Sequence, residues 1–425
     1  MVSEQIVKAE EGENEESPSP SSKFDVLDMP SKKADVSNFD IFCLLMSIVT
    51  HIIDLAFDIN VACHYLSYGE YSHLTITLLV ILIPSFINNA VSFRMRQQDR
   101  EMLPDTAPTE EKQSWTFVRI SRNFLSIILQ VAPLRRYWIS LSYAIKSRKC
   151  KKIEDTAGQR QYYLKMVKEN QDIALITVFE CFMETAPQQI VQLTILLTTY
   201  NGKFSYTLVH QILSIVSSFI SMGWAMASYH RSIRLAQDDK ENIGFTGSVL
   251  QFVWHLLVTI SRIVTFTTAF MLSVVGSGFF FLIHWMLMTS WIITENHGTT
   301  EFCRSQKRTP HAPLTLKERF YSTSFACVLG MIYTFVYVNT DDNSTYFRFF
   351  FYYSLCIIEN GIVVVLFILT PSVRAICYCY LGSGSCYLCV LPLLCLLPYV
   401  LGVATMIVYY LYFHPSKREK TVNQS

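Results

Sequence analysis

Charge is scarce in this chain. Asp, Glu, Lys and Arg make up 16% of its 425 residues, where a soluble domain carries roughly 25%. Residues 1–38 hold nine acids and four bases, which leaves 56 charges for the other 387 residues, about 14%. Neither sign dominates, since 35 Lys+Arg stand against 34 Asp+Glu for a formal charge of +1. The first 40 residues contain no apolar core that would read as a signal peptide. There is no Gly-rich loop of the kind that cradles phosphate. There is no metal-ligand spacing either, because His297, Cys303 and His311 are irregularly placed. These absences exclude a soluble enzyme, a disordered tail protein and a nucleic-acid binder with a basic face. No cofactor and no nucleic-acid partner is expected.

What is present is apolar. Hydrophobic residues make up 51% and aromatics 14%, and they come in long runs. A helix that crosses the hydrocarbon core needs roughly 20 mostly apolar residues. Five windows without Asp, Glu, Lys or Arg meet this: Tyr71–Phe93, Tyr206–Tyr229, Ile263–Thr294, Phe320–Thr340 and Ala375–Ser416. Irregular backbone does not face lipid, so these windows are predicted to be helical. The third is long enough for the end of one span, a turn at Gly276-Ser277-Gly278 and most of the next span. Three further apolar stretches carry charges inside them: Ile41–Leu66, Asp172–Leu197 and Arg348–Thr370. Together these give nine apolar segments, at 41–66, 71–93, 172–198, 206–229, 247–275, 277–295, 320–340, 348–370 and 384–413. A tenth, Thr116–Ile145, is amphipathic and bears Arg.

Orientation follows from Lys and Arg placement. Lys32 and Lys33 precede the first segment, and no Lys or Arg follows it until Arg94. The N-terminus is therefore expected in the cytosol. The basic clusters at 94–100, 146–152, 231–234, 304–308 and 417–420 should lie on the same side, which makes both termini cytosolic. Thr116–Ile145 has basic clusters on both flanks, so it should enter and leave on one side, bent near Pro133. From the loop at 304–319 to the C-terminus there are three apolar segments, an odd number between two cytosolic points. One must be half-inserted, and Phe320–Val338 occupies the position in the second half that Thr116–Ile145 occupies in the first. The expectation is an all-α polytopic membrane protein with eight spanning helices and two half-inserted ones, in two five-helix repeats. Its parts are an acidic tail at 1–38, a first membrane repeat at 39–232, a second at 245–414 and a short tail at 415–425.

Ionisable groups inside a bilayer cost at least ~2.5 kcal/mol each on insertion scales, so those present call for an explanation. Asp54 and Asp58 are four apart and share a helix face, with His51 one turn earlier. Glu180 and Glu184 repeat that spacing, and Gln188 and Gln192 extend the stripe. From Glu180 to Gln192 is twelve residues, about 18 Å. Arg262 lies inside the fifth apolar segment, and Glu359 and Asn360 lie in the eighth. Two readings compete. One is a buried ion-pair network that holds helices together, such as Arg262 with Glu180 or Glu359. The other is a polar track of Asp54, Asp58, Glu180, Glu184, Gln188, Gln192, Arg262 and Glu359, along which a lipid headgroup moves while its tails stay in lipid. Enzyme readings fare worse. Asp54 and Asp58 share one helix, unlike the facing helices of intramembrane aspartyl proteases, and His284 has no visible partner, so it reads as a packed histidine.

The N-terminal tail is acidic and rich in Ser and Pro, the composition of a segment that does not fold alone. Within it, Asp25-Val26-Leu27-Asp28 fits the Asp-x-x-Asp pattern that caspases cut after the last residue. A solvated tail and a regulatory tail cut after Asp28 both accommodate this. The last ten residues contain no Asp. Cys377, Cys379, Cys386 and Cys389 cluster in the last connection, where Cys377 and Cys379 are placed near the outer face and suited to a disulfide. Asn343-Ser344-Thr345 is a glycosylation sequon, which the expected topology puts inside.

Over nearly all of 40–415 the chain resembles the XK-related family of membrane proteins. The motifs, in order, are Asp54-Leu-Ala-Phe-Asp58, Leu129–Arg136, Glu180-x-x-x-Glu184-Thr-Ala-Pro-Gln-Gln189 with Gln192, and Gly223–Arg231. They continue with Trp254-His255, Ser261-Arg262, His284-Trp285, Tyr333–Asn339, Glu359-Asn360 and Tyr409–Pro415. Departures are Val131-Ala132 for the family's Leu-Gly and Arg135-Arg136 for its Leu-Arg. The resemblance implies eight spanning and two half-inserted helices. It also implies an ATP-independent phospholipid scramblase of the plasma membrane that exposes phosphatidylserine in apoptosis, switched on by a caspase. Vertebrate scrambling members are cut in the C-terminal tail and the nematode cell-death member in the N-terminal tail; this chain offers only the second. Another member is disulfide-linked to a surface protease, so the alternatives are a non-scrambling subunit of a partner membrane protein, or a secondary transporter of a small polar solute.

Overall fold

The structure is a computed structural model. It describes residues 35–36, 38–69, 71–101, 131–199, 206–235, 243–295, 300, 302–305, 312–338, 346–370 and 390–414. Among these every extended regular element is helical. Five of the helices are long and apolar enough to cross a membrane: Gln211–Leu235, Phe245–Leu272, Val274–Glu295, Tyr346–Leu369 and Leu391–Phe413. The chain is thus a helical, multi-pass membrane protein. Residues 102–130, the Cys377–Cys389 cluster, the sequon at Asn343 and the tail with Asp28 lie outside the described residues.

Contacts divide the chain into two compact units, one of residues 1–50 with 136–169 and one of 51–135 with 170–425. The smaller unit holds the start of α1 (Asn38–Ser67), most of α3 (Val131–Lys152) and the first half of α4 (Thr156–Glu180). Pro133 sits in the first turn of α3, where a missing N–H leaves no bond unmade. Helices α3 and α4 form a hairpin, linked by Arg136 Nη1 donating to Glu169 at 3.0 Å and Ser147 Oγ donating to the Gln159 carbonyl at 3.1 Å. Glu154 takes the left-handed conformation (φ 60°) just past α3. The Asp155 carboxylate then accepts the Gly158 N–H at 2.9 Å, which caps the start of α4.

The larger unit is organised around one helix, α7 (Phe245–Leu272). Helices α5 (Ala186–Thr199), α6 (Tyr206–Leu235), α8 (Val274–Glu295), α10 (Tyr346–Leu369) and α11 (Leu391–Val408) all pack against it. Helix α2 (Tyr71–Glu101) belongs to the same unit. More than half of α7 is buried, including Trp254, Arg262 and Phe266 at 0% exposure. A helix surrounded this way needs small or shape-matched partners at each crossing. Gly402 of α11 provides one, because a Cβ there would stand 2.9 Å from Val258 Cγ2 and 3.2 Å from the Trp254 carbonyl oxygen.

The turn expected at Gly276-Ser277-Gly278 falls elsewhere. Helix α7 ends at Ser273, which is extended (φ −164°, ψ 119°). The Ser273 hydroxyl accepts the Gly276 N–H at 3.1 Å, and its carbonyl accepts the Ser277 N–H at 2.9 Å. Serine here caps α8, and the two glycines are ordinary helix residues. A second difference concerns Phe320–Thr340, expected to be helical throughout. Helix α9 (Leu316–Tyr333) opens with a capping box between Thr315 and Glu318 and stops at Tyr333. Residues 334–338 follow without regular structure, yet every one is buried. Irregular backbone is tolerated at membrane depth where protein covers it and its polar groups find partners.

Helix α11 ends in a π turn, Tyr409–Phe413. Just past it, His414 accepts from Arg234 Nη1 at 3.3 Å and stacks on Tyr410. Burial, and then the Arg234 charge, push the His414 imidazole down to about 4.

Two outcomes follow. Gly402→Leu forces side-chain atoms into the α7–α11 contact and should lower the thermal midpoint of the detergent-purified chain, by the order of 1–3 kcal/mol of overpacking; Gly402→Ala should lower it less. His414 is neutral in the folded chain, whereas an unfolded histidine titrates near 6.5. As pH falls from about 6.5 toward 4 only the unfolded chain gains this proton, so stability falls across that window. Melting curves of His414→Phe against the parent chain should show a weaker acid slope for the variant.

Candidate functional site

The polar groups predicted inside the apolar segments separate into two arrangements. The first is closed. Arg262 on α7 is completely buried and uses all three of its guanidinium nitrogens. Nε donates to the Thr334 carbonyl at 3.1 Å, Nη1 to Asn360 Oδ1 at 2.9 Å and Nη2 to Glu359 Oε2 at 2.9 Å. The guanidinium also lies over the Phe266 ring, 5.1 Å from its centroid. His284 on α8 completes the group, with Nδ1 2.7 Å from Glu359 Oε1 and Nε2 donating to the Tyr333 carbonyl at 3.1 Å. Asn360 Nδ2 donates to Ser261 Oγ at 3.0 Å and to the Cys395 carbonyl at 3.3 Å, and the Ser261 hydroxyl donates to that same carbonyl. Helices α7, α8, α10 and α11 and the end of α9 therefore meet at one salt-bridged cluster.

The physical reason lies at the end of α9. A helix leaves its last carbonyls without intrahelical partners, and those carbonyls carry partial negative charge. Here Tyr333 and Thr334 present them to the packed interior, where water does not supply the missing donors. Arg262 and His284 donate instead, and Glu359 offsets the guanidinium charge. The pairing of Arg262 is with Glu359, not with Glu180. His284, expected to be a packed histidine with no visible partner, has two.

The second arrangement is open. Glu180 ends α4, and Cys181–Thr185 form a π turn before α5 begins. The Ala186 N–H reaches the Cys181 carbonyl five residues back. Pro187 follows at once; a proline clashes with the carbonyl four residues earlier, and the wide turn accommodates it. The extra residue per turn also breaks the regular stripe expected from Glu180 to Gln192. Glu184 and Gln189, five apart, are buried at 4% and 1%, whereas Gln188 is half-buried and Gln192 exposed. Gln189 and Gln192 are linked by a long contact of 3.4 Å. The π turn packs against α2, α6 and α9, which places Glu184 in the interior of the larger unit.

Glu180 pairs with His51 Nδ1 of α1 at 3.2 Å. His51 thus faces another helix as well as sharing the row with Asp54 and Asp58, which lie one and two turns further along α1. Glu180 and Glu184 through Gln192 lie along the end of α4, the π turn and α5, and Arg262 with Glu359 form the separate closed cluster. Among the described residues no group of three or more His, Cys, Asp or Glu is placed to hold a metal ion. Sequence reasoning missed His284, Ser261 and the carbonyls of 333–334 as partners. The signal for the side chains was present, because Ser261-Arg262, His284-Trp285 and Glu359-Asn360 are three motifs that each contribute to the one cluster.

The sequence model of the XK-related protein family matches residues 42–415. Among curated proteins, the chain is 27% identical over 401 residues to "Cell death abnormality protein 8" of Caenorhabditis elegans, covering 91% of this chain and 81% of that protein. It is 26% identical over 398 residues to the protein of the same name from Caenorhabditis briggsae, covering 90% and 79%.

Removing one partner of a buried pair strands the other, at a cost of about 3–5 kcal/mol. Arg262→Ala and Glu359→Ala should each abolish most of the monodisperse folded chain on size exclusion, and Glu359→Gln should abolish less. The double change Arg262→Met with Glu359→Leu should cost less than the two alanine variants summed, as a double-mutant cycle on thermal midpoints would read.

Proposed function

The chain belongs to the XK-related family, and on that premise we propose that it is an ATP-independent phospholipid scramblase of the plasma membrane. It exposes phosphatidylserine during cell death, after proteolysis of its N-terminal tail. The observation that carries this reading is the graded burial of polar residues from the π turn along α5. Glu184, in the π turn, is buried, and on the helix that follows Gln188 is half-buried and Gln192 exposed. A polar row that starts in the packed interior and opens onto the outer surface suits a headgroup that leaves one leaflet, crosses on polar partners and keeps its tails in lipid. Asp54, Asp58 and Glu180 extend the row in this reading. Arg262 and Glu359 form the adjoining wall and hold the helices, since every guanidinium nitrogen of Arg262 is already engaged.

The relatives' shared name supports a role in cell death. The architecture we propose is eight spanning helices with two half-inserted, the second being α9. Its end at Tyr333 followed by buried irregular backbone favours partial insertion. Both termini then lie in the cytosol, and Asp28 is accessible to a caspase. Lowering a headgroup's crossing barrier involves no bond chemistry, so no cofactor is called for.

Liposomes containing the purified full chain, and the chain cut after Asp28, test this directly. The cut form should equilibrate fluorescent phospholipid between leaflets and the full chain should be slower. Glu184→Gln in the cut form should slow equilibration by about tenfold, equivalent to 1.4 kcal/mol of barrier. Lipid equilibration by neither form, with the fold verified by size exclusion, would overturn the assignment.

A further inference from the structure

The hairpin of α3 and α4 carries far more positive charge than the topology of a basic loop needs. Residues 131–169 hold ten bases and three acids, a net of +7. The acids are already committed or outnumbered. Glu169 pairs with Arg136 at 3.0 Å, Asp155 caps α4, and Glu154 lies in the exposed turn. Two of the lysines are held without being neutralised. Lys146 stands over the Tyr162 ring at 5.6 Å, and Lys165 over Tyr162 at 5.8 Å and Tyr143 at 6.0 Å. The two rings are stacked at 6.3 Å. Aromatic faces position an ammonium but leave its charge in place, so the hairpin presents a fixed cationic face. Lys149 and Lys152 continue that face, both exposed.

One carboxylate from outside the hairpin is already on it. Asp35 pairs with Lys151 at 2.7 Å, and Val36 beside it is buried. Asp35 and Val36 are the first described residues of the chain, and they belong to the same compact unit as the hairpin. The chain that precedes them is of opposite sign. Residues 1–28 contain eight acids and two bases, a net of −6, with Glu10, Glu11, Glu13, Glu15 and Glu16 in one run. Residues 29–38, which a cut after Asp28 leaves behind, contain two bases and one acid. The cut therefore removes the negative charge and leaves the anchor at Asp35.

We infer that the acidic segment 1–28 docks on the cationic face of the α3–α4 hairpin, and that cleavage after Asp28 releases that face. Reach is sufficient. Glu16 and Asp35 are nineteen positions apart, and a flexible chain of that length spans about 24 Å, whereas Lys146 to Lys152 around the Lys151 anchor cover only about 9 Å of α3 at 1.5 Å per residue. Tethering through Asp35 supplies an effective concentration on the order of millimolar. The inference deepens the proposed regulation. It rests on that reading only for its consequence, since docking is measurable without any lipid flux.

The test is zero-length carbodiimide coupling of the full chain in bilayer nanodiscs, with the amide-linked peptides mapped by mass spectrometry. Asp35–Lys151 coupling is the internal control and is expected throughout. Coupling of Glu10–Glu16 to Lys146, Lys149, Lys152 or Lys165 is expected in both neutral and phosphatidylserine-containing bilayers, and should fall about fivefold at ~0.5 M NaCl. Lys149→Glu with Lys152→Glu should remove it, and adding Glu13→Lys, Glu15→Lys and Glu16→Lys should restore it with the partners exchanged. Coupling of the tail to lysines elsewhere, or none at all while Asp35–Lys151 forms, would overturn the proposal. Loss of tail coupling whenever the bilayer contains phosphatidylserine would overturn it too, in favour of the membrane as the occupant of this face.

Discussion

A helix that stops inside a packed interior is the constraint around which the larger unit is built. Helix α9 ends at Tyr333, and the five residues after it are buried outside any helix or strand. Two carbonyls at that end would be costly to leave unpaired, because a buried unsatisfied acceptor loses its full hydration. Arg262 is the answer at Thr334, and His284 the answer at Tyr333. Arg262 brings positive charge into an apolar place, so Glu359 is needed, and Asn360 fills the remaining guanidinium position. The cluster is best understood from the backbone outward: the irregular segment demands donors, the donors demand a counter-charge, and the counter-charge sits on a further helix.

That chain of requirements explains why α7 is central. It carries both Ser261 and Arg262, and it is covered on several sides by helices whose polar side chains meet its own. The apolar packing conforms to the same arrangement. Trp254 donates to the Tyr353 hydroxyl at 2.9 Å, and Tyr399 donates to the Tyr353 carbonyl at 2.8 Å, so aromatic side chains of α7, α10 and α11 are linked one turn after another. Gly402 allows the close approach that this linkage requires. A structure held in this way fixes the surroundings of Arg262, whereas the Gln189–Gln192 contact beyond the π turn is a long one at 3.4 Å.

Net charge is sorted along the chain as well as across it. The acidic tail and the basic hairpin are separated by about a hundred residues, yet Asp35 and Lys151 meet. Cation–π contacts at Tyr143 and Tyr162 keep the lysines in place without acids, which preserves a charged surface at a point where ion pairs within the hairpin would have cancelled it.

The sequence by itself determined the class of this protein. Scarce charge and long apolar runs admit only helices in lipid, and the described helices lie where those runs predicted them, to within a few residues at most ends. The order of motifs identified the family. It also supplied the residues of the buried cluster in pairs, because Ser261-Arg262, His284-Trp285 and Glu359-Asn360 each stand out as polar groups in apolar surroundings. Which polar group meets which was settled by packing. One arginine and several carboxylates on different helices leave the pairing open, and burial energy favours any partner that geometry allows. The end of α9 at Tyr333 selected Glu359 for Arg262, and left Glu180 to His51. Local geometry decided the rest. A π turn ahead of Pro187 moved the polar row by one residue, and a serine cap moved the α7–α8 break to Ser273, because backbone hydrogen bonds, which composition does not record, settle where a helix widens and where it stops.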